Sequence, residues 1–182
     1  MIFDNSNYSP IKTFYDFSLT ILKQSISHKV VYNSWIDSFH IPEKNIKKGD
    51  PYQWQVEQTV HEIVKYLNIK NLDWILSYQS QVGSLKWIGP STDNVIIENS
   101  KLEKHLIIVP VAFVSEHSET LVELDIEYKK LALDNGCTKY IRVPALGVSD
   151  IFIESLSNLI NGKNLSPINK CPTNFIKCPR QR

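Results

Sequence analysis

The chain has 182 residues, 42% of them hydrophobic and 21% charged, which is enough for one well-buried domain and excludes a disordered or low-complexity polypeptide. The formal net charge of +1, with only the mild and mixed clusters at Lys44–Lys48 and Lys101–Lys104, leaves no basic face for nucleic acid or an anionic membrane. The longest apolar run, Leu106–Val114, is interrupted by Pro110 and falls far short of the roughly 20 residues that span a bilayer. Met1–Asn5 has neither a basic leader nor a long apolar stretch after it, and Cys137, Cys171 and Cys178 are an odd count that makes no disulfide framework. A reducing cytoplasm is the expected location.

The spacing of Phe14, Phe17, Leu19, Ile21, Leu22 and Ile26 predicts a helix over Thr13–Ile26. Val30–Phe39 opens on a β-branched apolar run and ends before the turn-like His40-Ile41-Pro42, the pattern of a strand that hands its last residues to a loop. Beyond Gly49-Asp50-Pro51-Tyr52, the residues Val56, Val60, Ile63, Val64 and Leu67 mark one face of an amphipathic helix. Leu72–Tyr78 reads as a strand, Gln79–Asp93 as a long loop leading to a short helix, and Leu106–Phe113 as a nearly continuous apolar strand. A helix over Leu121–Leu133, a strand over Tyr140–Val143 and a helix over Ile151–Ile160 follow.

Strands and helices that alternate at this pitch predict right-handed crossovers and a roughly four-stranded parallel sheet with helices on both faces. The domain is expected over residues 11–161, preceded by an extension over 1–10 and followed by an Asn-, Pro- and Lys-rich tail over 162–182 that is expected to be loosely held. Such sheets bind ligands outside the carboxyl ends of their strands. That selects the loops at His40, at Gln79–Trp87 and at Ser115–Glu119.

Glu119, Glu123 and Glu127 stand at i, i+4 and i+8, which stacks three like charges along one side of a helix. One reading is a solvated acidic face near a helix N-terminus, favoured by the helix dipole. The other is a file that passes protons or cations, with its first carboxyl raised in pKa by burial and by its neighbours. If strand order brings His40 to the same edge as Glu119, an imidazole and a carboxylate share a cleft, where they can take protons near neutral pH or hold a divalent metal such as iron(II). Trp87 is a large indole in a loop, suited to packing over the core or against a flat ligand. The cysteines match neither a zinc nor an iron–sulfur spacing, so no such cluster is expected.

Several segments together resemble the ferrochelatases. They are Thr13-Phe14-Tyr15-Asp16, Ser38-Phe39-His40, Gly49-Asp50-Pro51-Tyr52, Tyr78-Gln79-Ser80-Gln81-Val82-Gly83, Trp87-Ile88-Gly89-Pro90 and Arg142-Val143-Pro144-Ala145-Leu146. The most specific runs from Val109-Pro110-Val111 through Phe113-Val114-Ser115-Glu116-His117-Ser118-Glu119-Thr120-Leu121 to Glu123-Leu124-Asp125-Ile126-Glu127-Tyr128. The resemblance covers roughly Ile11–Ile160, the C-terminal half of that family. It implies a Rossmann-like, chelatase-type three-layer domain and insertion of iron(II) into protoporphyrin IX, both of them substrates, with no organic cofactor. It further implies that His40 and Glu119 remove protons and handle the metal, that Glu123 and Glu127 continue the path, and that Trp87 walls the porphyrin pocket.

Two departures qualify this. The family usually has a glycine directly after the histidine, where this chain has Ile41, and loss of glycine's backbone freedom would displace the imidazole. Family members are also about twice as long, and their N-terminal domain forms the opposite wall. Activity is therefore expected to need a separately encoded N-terminal half, and a lone half, with its apolar face uncovered, is expected to self-associate. The alternative is an inactive remnant or a non-catalytic porphyrin-binding domain.

Overall fold

The computed structural model describes residues 28–34, 41–79, 83–161 and 171–178. The helix expected over Thr13–Ile26, the end of the first expected strand and His40 lie outside them.

Four parallel strands, β1 (His28–Ser34), β2 (Trp74–Tyr78), β3 (His105–Pro110) and β4 (Tyr140–Arg142), pair in the order β2-β1-β3-β4. The connections carry α1 (Glu43–Lys47), α2 (Tyr52–Leu67) and α3 (Thr92–Ser100), then a π-helix (Glu119–Tyr128) that runs on into α4 (Lys129–Asp134), and α5 (Asp150–Ile160) follows β4. The order is the one expected of a small α/β sheet. The short α1 was not legible, since its five residues carry no buried side chain to mark a face.

The sheet's two faces can be read from β3. Ile107 and Val109 pack on one side with Val60, Ile63 and Leu67 of α2. Leu106 and Ile108 pack on the other with Val95 and Ile96 of α3, Leu124 of the π-helix and Ala132 of α4. Alternate side chains point to opposite faces, so a strand buried on both reads as an unbroken apolar run. Each fully buried Ile or Leu contributes about 1.5–3 kcal/mol. The helix α2 starts where the Asp50 carboxylate accepts from the Tyr52 amide at 3.0 Å, and stops at Asn68, which takes the left-handed conformation that ends helices (φ 46°).

Three expectations are corrected. The strand expected to reach Phe113 ends at Pro110, where the chain turns and the Phe113 amide donates to the Pro110 carbonyl at 3.2 Å. The helix expected over Leu121–Leu133 begins at Glu119 and is π-helical as far as Tyr128. Cys171–Cys178, expected within a loose tail, is docked. Its Lys177 amide donates to the Gly49 carbonyl at 3.2 Å, Gln55 Nε2 to Cys171 Sγ at 3.4 Å, and Phe175 lies 5.8 Å from Trp54. No helix among the described residues is long and apolar enough to cross a membrane.

Candidate active site

The strand register assembles the site. Ser34 is level with Tyr78, and Asn33 with Pro110, so the chain leaves β1, β2 and β3 at one edge of the sheet. The expected loops after β2 and β3 therefore start at the same edge, on either side of the end of β1. Where the chain resumes after His40, Pro42 bridges to Trp87, the Glu43 amide donates to the Lys86 carbonyl at 2.9 Å, and Lys86 Nζ pairs with Glu43 at 3.0 Å. This ties the Trp87 loop to the segment that follows His40. Trp87 is half-buried with its indole nitrogen enclosed.

Beyond β3, residues 111–118 lead to the π-helix, whose i→i+5 bonding widens each turn past four residues. A four-residue step then comes close to one full turn, so Glu119, Glu123 and Glu127 share a side, and Glu123 feels the charge of both others. His117 Nδ1 hydrogen-bonds Glu119 Oε2, and the imidazole must be the donor because an ionised carboxylate only accepts. The ring therefore carries a proton on Nδ1 when it makes this contact. The Ser118 hydroxyl donates to the same oxygen at 2.9 Å, and the Phe113 ring lies tilted against the His117 ring with centroids 4.8 Å apart.

The two leading carboxyls differ in proton affinity. Burial pushes Glu119 up, but hydrogen bonds from its own amide, from Ser118 and from His117 outweigh it and hold the group below the usual carboxylate range. Burial also pushes Glu123 up, the charges of Glu127 and Glu119 add to that, and hydrogen bonds from Gln79 and Tyr128 only partly offset it. The rise expected of the first carboxyl thus falls on the second.

Several members of this site were not singled out from sequence. His117 and Glu116 lie inside the quoted motif, and Arg142 is the one ionisable cation in the expected strand Tyr140–Val143. Gln79 reaches Glu123 through the fold, which no local spacing reveals, whereas Tyr128 reaches it from five positions on along the same π-helix. Among the described residues no group of three His, Cys, Asp or Glu is arranged to hold a metal ion. Cys137, Cys171 and Cys178 are buried and form no disulfide.

A sequence profile of the family described as Ferrochelatase matches residues 6–164. The ferrochelatase of Pelagibacter ubique is 66% identical over a match covering 76% of this chain and 43% of that protein. Those of Rickettsia conorii and Rickettsia prowazekii are 47% and 45% identical, covering 91% and 88% of this chain and 46% and 49% of theirs. The chain spans about half the length of these curated relatives.

Proposed function

Since the chain belongs to the ferrochelatase family, we propose that it supplies one wall of a site that inserts iron(II) into protoporphyrin IX in a reducing cytoplasm, the last step in making protohaem. Two pyrrole protons must leave as the metal enters, so the site needs a proton acceptor beside the macrocycle and a route away from it. Glu119 is ionised, and the His117 imidazole is held against it. Together with His40, these groups take the protons.

The observation that carries this reading is the contrast between Glu119 and Glu123. Glu119 favours the charged form and Glu123 the protonated one, so a proton accepted at the first is favoured at the second, and Glu127 stands exposed at the far end of the file. The same carboxylates offer hard oxygen ligands to an incoming iron(II) ion. Trp87 gives the porphyrin a flat apolar wall. No organic cofactor is required.

The opposite wall corresponds to the part of the relatives that this chain does not match. The exposure of Leu121, Val122 and Ile126 on the π-helix supports a surface that meets another body. A porphyrin-binding domain without turnover is the second reading, favoured by Ile41 in the place of the family's glycine after His40.

Co-expression with an N-terminal half from a relative tests both. Formation of protohaem from protoporphyrin and iron(II) under anaerobic conditions is expected of the pair. A pair that binds porphyrin and never metallates it would overturn the proposal and leave the second reading.

A further inference from the structure

Five carboxylates fall between Glu116 and Glu127, and they divide into two sets. Glu119, Glu123 and Glu127 form the file. Glu116 and Asp125 are taken by one guanidinium, that of Arg142, the last residue of β4, whose side chain is only 9% exposed. Arg142 Nε donates to Asp125 Oδ1 at 2.8 Å and Nη2 to Oδ2 at 2.6 Å, a two-pronged fork, while Nη1 donates to Glu116 Oε1 at 2.6 Å. The Ala145 amide donates to that same Glu116 oxygen at 2.8 Å. This geometry needs a planar guanidinium, because an ammonium cannot fork onto one carboxylate and reach a second.

The attachment points matter more than the count of bonds. Glu116 immediately precedes His117, and Asp125 lies inside the π-helix between Glu123 and Glu127. One side chain on the sheet therefore grips the helix ahead of its first turn and again within its body. A π-helix is the less common backbone choice, and ten residues of it are an extended run. Anchors at both places hold the start of the helix, and with it the His117–Glu119 contact, at a fixed distance from the sheet edge.

We propose that Arg142 is a positioning residue for the proton- and metal-handling file, setting the placement of Glu119 and of the His117 ring through Glu116 and Asp125. This rests on the reading of the file given above. Arg142 itself faces the two anchoring carboxylates, and the side chains that face the file include His117, Ser118, Gln79 and Tyr128.

The experiment compares Arg142→Lys and Arg142→Met with the wild type in the full 182-residue chain and in that chain paired with the N-terminal half. Nitrogen NMR of the His117 ring in the chain alone is expected to show one hydrogen-bonded ring environment in the wild type and a mixture in both variants. In the pair, kcat is expected to fall about 10-fold for the lysine variant and on the order of 100-fold for the methionine variant, as for a displacement of about 1 Å, with KM for protoporphyrin within about twofold. Should the methionine variant fail to fold, the lysine variant and Asp125→Asn carry the comparison. An unchanged His117 signature and unchanged kcat per folded molecule would overturn the proposal, even if Tm falls, since that is what a merely structural ion pair would give. If the wild-type pair never metallates, the proposed function fails, while the His117 signature still decides the role of Arg142.

Discussion

Glu119 and Glu123 have the same side chain one helical step apart, and their surroundings give them opposite tendencies. Glu119 has three hydrogen-bond donors, its own amide, Ser118 and His117, that favour the charged form. Glu123 is more deeply enclosed and has like charges before and after it. Its folded-state pKa lies above the ordinary value, so the folded chain binds its proton more tightly than the unfolded chain does. Stability from this group is therefore fullest below the unfolded pKa and is lost as pH rises through the folded one. Glu123→Gln removes that loss. Its Tm is expected to exceed the wild type's by about 1–2 °C at pH 7, a modest figure because the group is partly solvated, and to match it at pH 4. Calorimetry at the two pH values checks this, and a Tm lowered at pH 7 would contradict it. At this scale sequence supplied the carboxylates and their spacing. It could not supply which carboxyl holds the proton, because Gln79 arrives from a loop 44 positions away in the chain.

The elements were legible where burial imposes a period. Val56, Val60, Ile63 and Leu67 announce α2, and the run Leu106–Val109 announces a strand covered on both faces. The π-helix was read as an ordinary helix because its buried positions, Thr120 and Leu124, are too few to separate the two periods, and the i→i+5 bonds are a backbone choice. The docked segment Cys171–Cys178 was missed for a different reason, since its composition is that of a loop and its partner is a turn more than a hundred residues earlier. Gly49 sits in that turn at φ +87°, and a Cβ there would lie 2.8 Å from Ile176 Cγ1 and 3.0 Å from the Ile176 amide nitrogen. Gly49→Ala is thus expected to cost about 1–3 kcal/mol, through backbone strain and displacement of the segment. Denaturant unfolding measures the loss, and faster reaction of the Cys171 and Cys178 thiols with a disulfide reagent reports the undocking. Unchanged stability and unchanged thiol reactivity would show that the segment does not depend on this contact.

For the whole molecule, the sheet register brings the ends of β1, β2 and β3 to one edge, and the proposed site is drawn from the segments that follow β2 and β3. Parallel topology was legible from the alternation of strands and helices. The adjacency of β1 and β3 came only from the register. The chain spans about half the length of its curated relatives, so the proposed reaction is tested with the part of a relative that it does not match supplied alongside. The central claim is that Glu119 serves the metallation step and not the holding of the porphyrin. Glu119→Gln in the assembled pair is the most direct measurement, with porphyrin affinity read from fluorescence and protohaem formation read from absorbance. The account predicts affinity within about twofold of wild type and a rate lower by at least 100-fold, the scale of a lost general base. A variant that metallates at the wild-type rate, or one that loses porphyrin binding and rate together, would contradict it.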